Sequence, residues 1–324
     1  MANLKFEVNP GLLQPVGDRF VGSGYKEPLD EKKALETVGA MPEVQGMGFW
    51  APGQVTLKNA KEIAQAARDL GKPPSTIVVN FWDRQFGWGS FSNKDPDVRK
   101  AALERAYESI EIAKLMGIDI VSIWFGHDGV DYAFQADYSW VWEELVCSVA
   151  DIAGYDKTMK IAIEYKIREP RIHSFVGNMG DTLLLIAEAG QENAGVTLDL
   201  GHAINAGERI AYSAVRALER NKLFNLHWGD NFRLWDDDVV VGSVNTIEFI
   251  EVVYWLHKYN WEGWCGLDQY PFKNDAADAL RESILWIRGF ENVIKKIGMD
   301  KLGQAIEQDE PKLALSLLRE AMLG

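Results

Sequence analysis

Short apolar runs recur eight times along this chain, and helical stretches fill most of the gaps between them. The runs are 4–10 (LKFEVNP), 43–50 (EVQGMGFW), 76–82 (TIVVNFW), 119–126 (DIVSIWFG), 160–166 (KIAIEYK), 194–202 (AGVTLDLGH), 223–230 (LFNLHWGD) and 263–270 (GWCGLDQY). Helix start and stop signals frame the stretches between them. Residues 56–71 begin on Thr56 and end on Gly71, and residues 95–117 begin on Asp95 or Asp97 and end on Gly117. Residues 181–190, 209–221, 245–260 and 275–298 complete the set. Eight strands alternating with helices predict an α/β fold, a (β/α)8 TIM barrel over residues 1–297. A doubly wound sheet opens on a Gly-rich turn after its first strand, and none follows residues 4–10. Residues 298–324 read as a short C-terminal helical tail that packs on the barrel or on another subunit, and a homo-oligomer is expected.

Composition narrows the function classes. A formal net charge of -14 argues against nucleic acid and anionic membranes, which need Lys and Arg on the contact face. No apolar run is long enough to span a bilayer. The first residues, MANLKFEVNPGLL, lack a basic segment followed by a long apolar run, so no secretory signal is expected. Two cysteines, Cys147 and Cys265, are too few for a disulfide scaffold, and a cytoplasmic location follows as the simplest expectation.

The ends of the predicted strands carry the chemistry. In a (β/α)8 barrel, residues at the C-terminal strand ends line the active site. Strand five reads as core through Ile161, Ala162 and Ile163, then ends in Glu164, Tyr165 and Lys166. Period-two geometry puts Glu164 and Lys166 on one face. The corresponding ends of strands six, seven and eight supply Asp199, His227 and Asp268. Oxygen and imidazole donors in that mixture suit Mn, Co or Mg. His202 follows Asp199 by three residues, and Asp236 and Asp238 stand two apart in WDDD. These permit a second, weaker metal site at Asp199, His202, Asp236 and Asp238. Each residue alone also fits a plainer role: strand-end acids cap helices, WDDD alone fits a solvated loop, and a lone histidine fits a half-buried packing position. Four coincidences at one mouth favour ligation. His173 and His257 are left with the plainer reading. Phe81, Trp82, Trp88, Trp124, Trp228 and Trp235 are candidates for stacking on a sugar face, with Trp124 and either Trp82 or Trp88 preferred.

These segments, in this order, resemble the xylose isomerase-like barrel superfamily over roughly residues 75–290. IAIEYKIREPR resembles its IEPKPNEPR, LDLGH its PEIGH, and GLDQYPF its HFDYKP. SIWFGHDGVDY resembles LWGGREGAEY, and LFNLHWGDN with WDDDVVVG resembles LFHIDLNG with FDQDLVFG. The resemblance implies a metal-ligating Glu164, a catalytic Lys166, a substrate-shaping Trp124, and metal or substrate contacts at His202. It also implies departures. Asp199 replaces a Glu and His227 an Asp, toward the ligand sets of L-rhamnose isomerases and ketose 3-epimerases. The superfamily's ring-opening histidine on strand two has no counterpart, because Phe49 and Trp50 stand there.

The activity so implied is a metal-dependent interconversion of an aldose and a ketose by hydride shift. The acidic WGDNFRLWDDD segment offers no phosphate cradle, so the sugar is expected to be unphosphorylated. A ketose 3-epimerase would need two opposed carboxylates, Glu164 and Asp268. A metal-dependent lyase of the same superfamily, such as a C-glycoside-cleaving enzyme or inosose dehydratase, is a further alternative. The alternative from another class is a non-catalytic sugar-binding barrel.

Overall fold

The computed structural model describes residues 2–169, 171–271 and 273–324. Parallel strands buried on both faces read as continuous apolar runs and need helices to cover them. That is the architecture found. The strands are β1 (Lys5–Glu7), β2 (Met47–Ala51), β3 (Pro74–Val79), β4 (Ile120–Trp124), β5 (Lys160–Glu164), β6 (Ala194–Asp199), β7 (Leu223–Trp228) and β8 (Trp264–Leu267). They pair in parallel in the order β1-β8-β7-β6-β5-β4-β3-β2. Gln45 and Gly46 donate to the Phe6 carbonyl at 2.8 and 3.2 Å, which brings β1 against the chain entering β2 and draws the two edges of the sheet together. The fold is the expected (β/α)8 barrel.

Every strand is shorter than the apolar run that announced it. β5 ends at Glu164, so Tyr165 and Lys166 lie past its last ladder pair. The run continues because both residues stay buried, Tyr165 in the core at 1% and Lys166 at the mouth at 7% exposure. A second small sheet, from Gly129–Val130, Arg168–Glu169 and Ile172–Ser174, knits the loops after β4 and β5.

The outer layer comprises α1 (Glu31–Gly39), α2 (Ala60–Asp69), α3 (Pro96–Met116), α4 (Tyr138–Tyr155), α5 (Met179–Ala189), the short α6 (Leu200–Asn205), α7 (Ile210–Leu218), α8 (Thr246–Lys258) and α9 (Ala276–Ile297). α3 starts where Asp95 accepts the Asp97 amide and stops at Gly117, whose φ of +75° suits glycine. α2 begins later than expected, with Asn59 rather than Thr56 before its first turn. α1 and α4 lie outside the stretches read as helical. α4 buries Val141, Leu145, Val149 and Ile152 at helical spacing, but Trp140 and Trp142 off that stripe blur its period.

Beyond Gly298, α10 (Met299–Glu307) and α11 (Pro311–Leu323) form the tail. Leu317, Leu318 and Ala321 pack against the core, and Lys296 donates to the Ala321 carbonyl at 3.0 Å. No helix among the described residues is long and apolar enough to cross a membrane.

Candidate metal centre and active site

Three short facts of sequence build the site. β5 ends on Glu164, β7 carries His227 in register with Asp199 of β6, and Asp268 follows β8 by one residue. Asp199 then caps α6, its carboxylate accepting the His202 amide at 2.6 Å, so His202 is turned back over the strand ends by a single helical turn. The capping role weighed against ligation is therefore present in the same carboxylate. Gly201 leaves the turn uncrowded: a Cβ there would stand a tight 3.2 Å from an oxygen of both Asp199 and Asp236.

The donors converge. His227 Nδ1 lies 3.2 Å from Glu164 Oε1 and 3.9 Å from Asp268 Oδ2. His202 Nδ1 lies 3.6 Å from the same Glu164 oxygen and 2.9 Å from the Tyr165 carbonyl, while its Nε2 meets Asp236 Oδ2 at 3.3 Å. One donor atom each from Glu164, Asp199, His202 and Asp268 falls within 4.8 Å of the others, a span that a single divalent ion can bridge. The expectation placed His227 in the tighter site and His202 in the weaker one. The compact group contains His202, with His227 adjoining it through Glu164 and Asp268.

Electrostatics favour a cation in this position. Burial and the neighbouring Asp236, Asp268 and Glu164 push the Asp199 carboxyl up to about 7, against the pull of His202. Burial with Asp236 and Asp268 lifts Asp238 well above its ordinary range. Burial opposes charge on the two imidazoles, but the acids overrule it: Asp199 and Asp236 raise His202 to about 9, and Glu164 with Asp268 raises His227 to about 10. Acids that resist ionising together, and imidazoles that hold protons to balance them, are a donor set matched to a divalent ion.

Lys166 reaches the same place. Burial works against its charge, and Asp236 and Glu169 reverse that, holding its pKa above the usual lysine range. Nζ pairs with Asp236 at 2.8 Å and with Glu169, and stands 5.4 Å from the centre of the Trp124 ring. The salt bridge to Glu169, the plainer reading of this lysine, is thus present together with a position in the cavity. WDDD divides likewise: Asp236 has a side chain only 6% exposed, whereas Asp237 accepts the Phe232 amide as an ordinary turn acid.

A cavity of about 970 Å³ opens above these groups, and Glu164, Lys166, His202, His227, Asp236, Asp238 and Asp268 all line it. Trp82, Trp124 and Trp235 line it as well, with Trp82 edge-on to Trp50 and Trp124. Three aromatic candidates fall elsewhere. Trp88 is 79% exposed on the loop after β3 and is not among the cavity residues. Trp228 is fully buried against Phe249, and Phe81 packs edge-on with Phe86 and Phe91. Their side chains alternate to the helix side of the barrel or into loop packing, a distinction that strand-end position alone does not carry. His257 meets Glu291 at 3.3 Å in the helical layer, as its plainer reading anticipated. Glu7 and Thr76 also line the cavity and were not anticipated. The available signal was a carboxylate inside the apolar run LKFEV.

Comparison with known proteins agrees in kind. Residues 41–290 match the family described as xylose isomerase-like TIM barrel. The xylose isomerase of Thermus thermophilus is 26% identical over 238 residues, 71% of this chain and 61% of that protein. The chain therefore spans less than two thirds of that relative. Among solved structures, an L-ribulose 3-epimerase superposes with a TM-score of 0.71 at 14% identity, covering 90% of this chain and 97% of its own. A D-allulose 3-epimerase from Methylomonas sp. superposes with a TM-score of 0.67 at 14% identity, covering 89% and 98%. At such identities the two superpositions speak for the fold.

Proposed function

Because the chain belongs to the xylose isomerase-like TIM barrel family, we propose that it is a divalent-metal-dependent isomerase interconverting an unphosphorylated aldose and ketose by hydride shift. The observation that carries this reading is Lys166, a buried ammonium 2.8 Å from Asp236 on the wall that also presents the acid and imidazole donors. Glu164, Asp199, Asp268 and the two histidines would hold Mn, Co or Mg, which would supply Lewis-acid polarisation to the bound sugar. Asp199, His202, Asp236 and Asp238 form the weaker second site of this proposal.

The protein's own part is orientation and charge. An ammonium has three N–H donors, and Glu169 and Asp236 occupy two of those on Lys166. The third serves the sugar carbonyl oxygen as negative charge develops there. The hydrogen then passes with its electron pair from C2 to C1, and the hydroxyl proton passes from O2 to O1. Trp124 and Trp82 cover the apolar face of the sugar and keep water from the transfer.

The test is a screen of free aldoses and ketoses after exhaustive chelation, with and without added Mn or Co, read by product NMR. Ketose formation that depends on the added metal supports the proposal. Turnover that survives chelation with no metal in the protein rejects the metal role. Metal-dependent exchange of configuration at C3, with no aldose formed, replaces the isomerase with an epimerase.

A further inference from the structure

The seven donors at the mouth leave one buried acid of the cavity without a role. Glu7, at the end of β1, is 2% exposed. Its Oε1 accepts from Thr76 Oγ1 at 2.8 Å, the side chains of Ser75 and Asn225 stand beside the carboxylate, and Oε2 makes no hydrogen bond of full geometry among the described residues. A buried carboxylate oxygen without a well-placed donor is costly, so the position calls for an explanation in function.

The backbone register supplies it. Glu7 pairs with Gly266 from one side and His227 pairs with Gly266 from the other. Both side chains converge over that glycine. A Cβ on Gly266 would stand 3.1 Å from Glu7 Oε1, 2.9 Å from His227 Cδ2 and 3.4 Å from His227 Nε2. Only glycine lets the carboxylate and the ring edge face each other. The other edge of the ring is already committed, since Nδ1 faces Glu164 and Asp268. Asn225, two residues before His227 on β7 and so on the same face, sets its amide beside the Glu7 carboxylate. The strip beneath the ring is therefore polar and built into the barrel.

Resting on the metal-site reading above, we propose that Glu7 is a positioning residue for His227. Its carboxylate takes up the Nε2–H across one bridging water, which fixes the tautomer and keeps Nδ1 turned toward the metal-binding acids. A histidine ligand generally donates its second N–H to a carboxylate, a carbonyl or water, and loss of that partner weakens metal binding. His202 already has such a partner in the Tyr165 carbonyl, 2.9 Å from its Nδ1. Among the described residues no backbone carbonyl serves His227 Nε2 in that way, and Glu7 takes its place.

The experiment titrates Mn²⁺ into metal-free wild type, Glu7→Gln and Glu7→Met, with binding read by electron paramagnetic resonance of the free ion. Thermal unfolding of each metal-free protein runs alongside. Met removes the acceptor and keeps the volume; Gln keeps an amide oxygen that accepts the same bond. Glu7→Met should bind Mn²⁺ roughly 10–100-fold more weakly, while Glu7→Gln stays within about fivefold of wild type. If Glu7→Met does not fold, Glu7→Asp retracts the carboxylate by one methylene and should lose affinity in the same direction. Glu7→Met binding within twofold of wild type overturns the inference, as does an equal loss in Gln and Met. Wild type that binds no Mn²⁺ overturns the metal-site reading itself, an outcome distinct from either.

Discussion

Lys166→Met is the substitution that most sharply separates chemistry from architecture. The lysine side chain is 8% exposed, and its ammonium lies 2.8 Å from an Asp236 carboxylate that is itself 6% exposed. Met preserves the stem and removes the charge. One preorganised donor to a developing oxyanion contributes roughly 3–4 kcal/mol, so turnover should fall about 10²–10³-fold. Substrate KM should change far less, because the lost bond strengthens only in the transition state. Stability also has a stake. Removing one partner of a buried ion pair costs about 3–5 kcal/mol when the other charge is stranded. Asp236 keeps His202 Nε2 at 3.3 Å, and Glu169 at 28% exposure rehydrates, so the loss should sit at or below the lower end of that range. The assay is steady-state kinetics on the sugar found by the screen, with urea unfolding as the control for fold. A variant that folds and turns over within tenfold of wild type would refute the oxyanion role and leave Lys166 as a clamp between Asp236 and Glu169.

Four further outcomes are expected. Asp236→Asn with Asp238→Asn should cut turnover at least tenfold while leaving one tightly held metal, measured by metal analysis after dialysis; wild-type turnover would reduce WDDD to a turn. Protonated His202 and His227, raised to about 9 and 10, must release protons to bind a metal, so Mn²⁺ affinity should rise from pH 7 toward pH 9–10. Calorimetry in buffers of different ionisation enthalpy measures that release. The same raised values stabilise the metal-free fold fully below the unfolded histidine value near 6.5, and that contribution is lost as pH rises through them; Asp199, raised to about 7, acts in the same direction. The metal-free melting temperature should therefore fall between pH 7 and pH 10. Trp228→Ala, at a site fully buried against Phe249, should cost about 3–5 kcal/mol in urea unfolding whether or not metal is present.

Much of the site was legible because period-two geometry and strand ends are local rules. Glu164 and Lys166 follow from one quoted strand, and both line the cavity. Asp199, His227 and Asp268 follow from the same rule applied to the next three strands. What the rule does not carry is the third dimension. Whether Trp228 or Trp124 faces the cavity depends on which side of the barrel its strand turns outward, and whether His202 or His227 joins the compact donor group depends on the α6 turn that Asp199 caps. α4 was hidden by aromatic residues off its buried stripe. Glu7 was hidden for a different reason: its neighbours Gly266, Thr76 and His227 are far away in sequence and meet only when β1 pairs with β8 and the barrel closes toward β2.

The central claim is that hydrogen moves between C1 and C2 as a hydride inside a closed, metal-dependent site. It is tested most directly by running the reaction in ordinary water with substrate deuterated at C2 and following the label by NMR and mass spectrometry. Hydride shift predicts that the deuterium appears on C1 of the product with little loss to solvent. Deuterium washed into the water would contradict it, and would assign Glu164 and Asp268 to carboxylate-mediated proton exchange instead.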